Sequence, residues 1–266
     1  MTAPRTTTSA LALDDHAILA VYEVAPQLGD FVHAYWTLSV ETPPARVRII
    51  PDGQVDIVFD VDRAEAHVGG APNAAFEVTH ERPTHLLGAT LLPGAAAAFL
   101  DVPAGSLTVD WQPLAAIIGP MANELEERVA GAPDLVARLA TLETFLLSRL
   151  RRTDARVDRA VRAIEESDGR VGIERLGPAC GASARNLSRL FHEWVGLPPK
   201  RFARIVRAQA ALRRLADAAP RDLAALAAEL GFSDHAHFTR EVQALLGGAP
   251  SSLAETFKHR SDSFKR

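Results

Sequence analysis

"LAAELGFSDHAHFTREVQALLGGAP", residues 226–250, has an earlier counterpart in "LGPACGASARNLSRLFHEWVGLPP", residues 176–199. Leu176 aligns with Leu226 and Gly181 with Gly231. After one extra residue in the second turn, Leu187 aligns with Phe238, Arg189 with Arg240, Gly196 with Gly247 and Pro199 with Pro250. Matching residue types at matching spacing imply one supersecondary unit used twice. Each copy reads as a short helix, a glycine turn and a second helix opened by a polar N-cap, Ser183 in one and Asp234 in the other.

Counting from those caps separates two faces. In the first copy Leu187, Leu190, Phe191 and Trp194 form an apolar stripe, while Arg185, Ser188, Arg189 and His192 lie opposite at i, i+3, i+4 and i+7. In the second, Phe238, Val242, Leu245 and Leu246 turn inward. Ala236, Thr239, Arg240 and Gln243 turn outward, with His235 beside them in the first turn. A helix–turn–helix offers the major groove a short polar face of this kind. Arginine there donates two hydrogen bonds to guanine O6 and N7, and serine, threonine or histidine reach other base edges or phosphates. These nine outward residues are the candidate DNA contacts. His235 is read as a contact in preference to a solvated first-turn residue, and His237 as a packing or cap-supporting residue. Two apart on a helix, they point about 200° from one another and do not close on one metal ion.

Between the copies, "PPKRFARIVRAQAALRRLAD" (198–217) has Phe202, Ile205, Val206, Leu212 and Leu215 as its inner stripe. Lys200, Arg201, Arg204, Arg213 and Arg214 fall mostly outside. A helix of about 20 residues spans ~30 Å, close to the ~34 Å turn of B-DNA, so it suits two reading helices placed in successive groove segments.

At this point the chain resembles the AraC/XylS family of bacterial transcription regulators. "LAAELGFSDHAHFTREVQALLGGAPSSL" is very like that family's second-unit signature, and "GASARNLSRLFHEWVGLPPKRF" is similar to its first. The resemblance covers roughly residues 155–260, with both motifs in order. It implies two helix–turn–helix units joined by a long helix. "YWTLSV", "PDGQVDIVF" and "LLPGAAAAFLDVPAGSL" resemble, more weakly, the acidic N-terminal sensor region of one branch of the family. Three departures stand out. Pro178 removes a helical hydrogen bond late in the first helix and is expected to kink or shorten it. His192-Glu193 and Glu241-Val242-Gln243 occupy stretches usually richer in Lys and Arg, implying fewer phosphate contacts and weaker, less salt-sensitive binding.

Charge divides the 266 residues in the same way. The net charge is −4, yet residues 151–266 hold 21 Lys+Arg against 14 Asp+Glu, and residues 1–150 hold 8 against 19. One half is suited to a polyanion and the other is not. A mean hydropathy of +0.01 fits a globular chain. No apolar run is long enough for a membrane span, and the N-terminus lacks the charged-then-apolar pattern of a signal peptide, so a cytoplasmic, nucleoid-associated protein is expected. Cys180, the only cysteine, excludes an internal disulfide and reads as a small core residue.

The first half alternates at period two. "FVHAYWTLSV" (31–40), "THLLGATLL" (84–92) and "RVRIIPDGQVDIVFDVD" (46–62) read as strands, the last broken by a Pro51-Asp52-Gly53 turn. Within it Val55, Ile57, Phe59 and Val61 share one face, and Asp56, Val58 and Asp60 the other. Asp52, Asp56 and Asp60 are read as a turn acid and a solvated strand face rather than a carboxylate site, and Trp36 and Trp111 as core. "DLVARLATLETFLLSRL" (134–150) carries Leu135, Leu139, Leu142, Leu146 and Leu150 as one stripe, which fits a helix packed on its own domain and a dimer seam equally.

The expected fold class is thus α+β in two domains: a poorly ordered start (1–19), a β-rich sensor and dimerisation region ending in helices (20–150), and an all-helical double helix–turn–helix (151–266). The expected function is sequence-specific DNA binding in transcription regulation, controlled by a small effector or partner on the N-terminal half. The expected partners are double-stranded DNA, a small-molecule effector, a second copy of the chain and, for an activator, RNA polymerase. The acidic half is also placed to hold the basic face off DNA, a contact that salt would weaken. The alternative is a small-ligand-binding or metal-dependent enzyme with a helical accessory domain. His16, His33, His67, His80 and His85 lie in the β-rich half, but without metal-ligand spacing, a phosphate loop or a nucleophile elbow. No catalytic residue, metal or cofactor is therefore expected.

Overall fold

A computed structural model describes residues 10–12, 16–216 and 223–253. Its order of strands and helices is β1 (Ala10–Ala12), β2 (Ala17–Tyr22), β3 (Val32–Val40), β4 (Ala45–Ile49), β5 (Val55–Asp60), β6 (Glu65–Gly69), β7 (Phe76–His80), β8 (Thr84–Leu91), α1 (Ala96–Leu100), β9 (Gln112–Pro113), α2 (Leu114–Ile118), α3 (Met121–Ala130) and α4 (Leu135–Arg149). Helices follow: α5 (Ala155–Glu166), α6 (Ile173–Ala179), α7 (Ala184–Trp194), α8 (Pro199–Ala216), α9 (Leu223–Glu229) and α10 (His235–Leu246). The β-rich region preceding a helical one is the α+β class read from the sequence.

The strands make two antiparallel sheets, β1-β4-β7 and β2-β3-β8-β5-β6-β9. Alternation along β5 shows how they stack. Val55, Ile57 and Phe59 are buried with Phe99, Leu125, Val129, Leu142 and Phe145, so that face of the larger sheet carries α1, α3 and α4. The opposite face, through Leu19, Leu38 and Val40, packs on Ala45 and Val47 of the smaller sheet. The leucine stripe of α4 therefore covers its own sheet: Leu142 and Leu146 are buried, and Leu135, Leu139 and Leu150 pack around them. The reading of residues 1–19 as poorly ordered needs correction where the structure describes them. Ala10–Ala12 pair with Val47–Ile49, and β2 begins at Ala17, because both short apolar runs complete sheet edges. The rest of that stretch lies outside the described residues.

The helical half repeats as its sequence does. Ala182 donates its amide to Gly177 O at 2.9 Å, and Phe232 donates to Ala227 O at 2.9 Å. Gly181 and Gly231 both sit at φ 74°, a left-handed turn that favours glycine. Pro178 does not shorten its helix. α6 continues to Ala179, the position equivalent to Glu229 where α9 ends. Proline sits there in the last turn, and Cys180, buried beside it, belongs to the helical core as expected.

The two halves meet along several segments, one of them a wedge formed by residues 50–53. Ile50, next to β4 in sequence, is buried in the helical core and not in either sheet core. Gly53 (φ 78°) lies against the Phe202 ring of α8, where an added Cβ would come within 2.4 Å of Cε2. Gln209 of α8 donates to Pro51 O at 2.8 Å, Ala75 donates its amide to Leu245 O at 2.8 Å, and Arg201 donates to Asn73 O. These contacts are apolar packing and hydrogen bonds to backbone carbonyls. They differ from the acid-to-base contact expected from charge alone.

Phe202 is fully buried and packs both on Gly53 and on Phe191 at 6.2 Å between ring centroids. Phe202→Ala is expected to lower stability by about 3–5 kcal/mol in urea unfolding. A loss below about 1 kcal/mol would show that the ring is not a common element of both packings.

Candidate functional site

α7 and α10, the helices that carry the candidate DNA contacts, are opened by the caps that the sequence supplies. Ser183 Oγ accepts from the Asn186 amide at 3.2 Å, and Asp234 Oδ1 from the His237 amide at 2.7 Å. The His237 amide and then the Ser233 hydroxyl hold the Asp234 carboxyl below its ordinary range. Arg185, Ser188, Arg189 and His192 of α7 are exposed, as are His235, Ala236, Arg240 and Gln243 of α10, while Thr239 is half-buried.

The two faces are not equally free. Arg189 pairs with Glu193 at 2.6 Å and donates to Asn186 Oδ1 at 3.2 Å, an exposed arrangement of small worth that a stronger acceptor can displace. His192 lies against Gly105 of the N-terminal half, where an added Cβ would come within 2.3 Å of the imidazole. On α10, His235 Nε2 sits 3.4 Å from Thr239 Oγ1. His237 is turned away from this face: its Nδ1 is 3.1 Å from Ser233 Oγ, and its ring meets Phe232 edge-on at 5.5 Å. Among the described residues no three His, Cys, Asp or Glu side chains gather as a metal site.

The basic outer stripe of α8 is largely committed to internal bracing. Arg204 grips Glu241 of α10 through both nitrogens, with Nη2 to Oε2 at 2.8 Å. Arg214 and Arg213 engage Asp168 in the turn after α5, the latter at 3.7 Å. Arg207 donates to Gly169 O at 2.7 Å and lies over Phe232 at 5.5 Å. Glu241, which had read as a missing phosphate contact, is instead the acid that holds α10 on α8. The Arg204 guanidinium lowers its pKa from the usual glutamate value.

A second feature lies between the sheets: a cavity of about 300 Å³. Here the sequence reading is corrected. Asp56, Val58 and Asp60 do not form a solvated strand face, since the smaller sheet covers that side and makes it the cavity wall. Trp36 and Trp111 line the cavity too, and are not plain core. Each indole rests on a strand glycine. A Cβ at Gly88 would come within 2.1 Å of Trp36, and one at Gly69 within 2.6 Å of Trp111. Glycine inside a strand signals such close approach, so Gly69 and Gly88 were the available clue.

Asp56 sits in the cavity wall. Its Oδ1 accepts from Thr90 Oγ1 at 2.5 Å and from Trp36 Nε1 at 3.3 Å. Burial raises its pKa, and the Thr90 and Trp36 hydrogen bonds oppose that rise. Asp60 is better provided for, with Arg82 at 3.0 Å and Arg63 at 3.9 Å. On the facing sheet, burial and then Arg82 lower the pKa of His80.

Residues 50–53 join the cavity to the helical half. Val47 and Ile49 on one side of the wedge, and Asp56 and Val58 on the other, line the cavity. The residues between them, 50–53, are those packed on α8.

Residues 177–256 match a family described as a helix-turn-helix domain, and residues 21–110 match a domain of unknown function, DUF6597. No curated protein matches the chain. A probable AraC family transcriptional regulator from Rhodopseudomonas palustris is 32% identical over 40% of this chain and 99% of its own, with a TM-score of 0.36. A transcriptional regulator with an AraC-type DNA-binding domain from Chromobacterium violaceum is 20% identical over 38% and 91%, also at 0.36. ToxT from Vibrio cholerae is 9% identical over 92% and 99%, at 0.42.

Asp56 gives the cavity a pH signature. Its raised pKa means that the folded chain keeps a proton over a range where the unfolded chain has lost it. Stability from this group is therefore lost as pH rises from the ordinary 3.8 through the folded value. Asp56→Asn is expected to be more stabilising, or less destabilising, near about pH 7.5 than near about pH 4 in thermal unfolding. A difference that is constant with pH would mean that the carboxylate carries no burial cost.

Proposed function

The chain belongs to the AraC family of transcription regulators, and its helical half is a DNA-binding helix–turn–helix domain; from that premise we propose that a small ligand in the inter-sheet cavity controls how the domain reads DNA. The observation that carries this reading is the wedge at residues 50–53, flanked by cavity-lining strands and seated on α8.

Residues 20–150 serve as sensor and residues 151–266 as reader. Arg185, Ser188, Arg189 and His192 contact one part of the operator, and His235, Ala236, Thr239, Arg240 and Gln243 the other. α8, with 18 residues, spans ~27 Å and sets their separation. To present the α7 face in full, Arg189 leaves Glu193 and His192 leaves Gly105. A ligand that changes the spacing of β4 and β5 shifts the wedge, and through Phe202 the helix that carries both readers. It acts only insofar as it binds one of the two arrangements better than the other. Family membership supports a role as a regulator and not as an enzyme. The exposed Val136, Ala140 and Leu147 on the outer side of α4 support pairing of two copies there. A protein with this task works at the nucleoid in the cytoplasm, and meets RNA polymerase there if it activates.

Selection from a random duplex pool is expected to yield a two-part site about one helical turn apart. Arg189→Ala and Arg240→Ala should each relax a different part, at about 1–3 kcal/mol apiece. Loss of the same part in both variants would overturn the assignment of one reader to each unit. Gly53→Val, which drives a side chain into Phe202, is expected to change DNA affinity by about fivefold or more with helix content retained. Unchanged affinity in a folded variant would overturn the wedge as the coupling element.

A further inference from the structure

We infer that the inter-sheet cavity is a site for a small cationic ligand, a protonated amine on a flat apolar frame, with Asp56 as its counter-charge and Trp36 and Trp111 as its walls. The inference deepens the reading of the cavity as the control site and rests on it for its biological meaning, although binding is measurable without DNA.

The charge balance of the cavity carries the argument. Asp56 receives hydrogen bonds from two neutral donors, Thr90 and Trp36, both on Oδ1. The arginines nearby are taken by its neighbour: Arg82 and Arg63 both pair with Asp60. Glu65 adds a third carboxylate to the lining, against Arg63 and the imidazoles of His67 and His80, the latter held toward its neutral form by burial. A carboxylate inside a protein without a cation beside it carries a desolvation cost that a proton or a bound cation relieves. A carboxylate ligand would meet Asp56, Asp60 and Glu65 with like charge. An ammonium group would pair with Asp56.

The remaining walls select the frame. Leu19, Leu38, Val47, Val58 and Leu86 are apolar, and the two indoles offer ring faces that attract cations as well as flat apolar groups. Gly69 and Gly88 keep those indoles seated against the strands, which leaves the space between the sheets open. At about 300 Å³ the cavity is at the lower end of the range for ligand pockets, suited to a compact molecule.

The test uses the full-length chain and probes that share one frame but differ in charge: tryptamine, its neutral alcohol counterpart tryptophol, and the acid indole-3-acetate. Benzylamine, benzyl alcohol and benzoate form a smaller set. Titration calorimetry is expected to show one of the two amines binding at least about tenfold more tightly than its alcohol, with no binding of the acid. Asp56→Asn, its fold checked by thermal unfolding, should bring amine and alcohol within about threefold of each other while leaving the alcohol unchanged. Tighter binding of an acid or an alcohol, an amine preference that survives Asp56→Asn, or no binding in either set would overturn the inference. DNA affinity measured with and without the bound probe separates the two claims. Asp56-dependent amine binding that leaves DNA affinity unchanged sinks the proposed control and keeps the amine site. A DNA response to an acid or alcohol acting in the cavity keeps the control and sinks the amine site.

Discussion

Ile50 and Gly53 seat the turn between β4 and β5 on the helical half, and this seat ties the cavity strands to α8. Ile50 is 2% exposed, and the core that buries it is the helical one. Gly53 permits the Phe202 ring to lie where any side chain would block it. Burying one aliphatic side chain is worth roughly 1.5–3 kcal/mol, so the turn is a seat of moderate strength. It holds α8 in place, yet it is within the range that differential ligand binding can shift. β4 and β5 flank the turn and also line the cavity, so the turn is the contact between the cavity strands and α8 on which the proposed control rests.

The helical half illustrates how charge can mislead about position. The sequence puts Arg201, Arg204, Arg213 and Arg214 mostly on the outside of α8, but these guanidiniums and that of Arg207 grip Asn73, Glu241, Asp168 and Gly169. The arginines on the outward faces of α7 and α10, proposed as DNA contacts, are Arg185, Arg189 and Arg240, all exposed. Division of labour follows from reach. An arginine on the long helix can touch both a neighbouring helix and the N-terminal half, whereas one early on α7 or α10 points away from the core.

The same limit governs the β-rich half. Period-two alternation marks two faces of a strand without saying which is wet. Asp56 and Asp60 looked solvated because acids usually are. A second sheet covers them, and that sheet is assembled from β1, β4 and β7, strands far apart in the chain. Trp36 and Trp111 changed meaning for the same reason, since an aromatic residue is core or wall depending on what faces it. The glycines beneath them were visible in the sequence but had no partner assigned.

The sequence by itself determined the elements that rest on local periodicity and capping. Ser183 and Asp234 cap α7 and α10, Gly181 and Gly231 turn left-handed in both units, and the strands at 32–40, 55–60 and 84–91 follow their alternation. It also carried the family, because a repeated unit leaves its pattern twice within one chain. Only the tertiary structure decided what depends on distant residues meeting: that α4 covers its own sheet, that Pro178 does not shorten α6, that His192 rests on Gly105, and that residues 50–53 join the cavity to α8. Local hydrogen bonds are written within a few residues of one another, whereas enclosure and docking are properties of surfaces that the chain brings together only after it has folded.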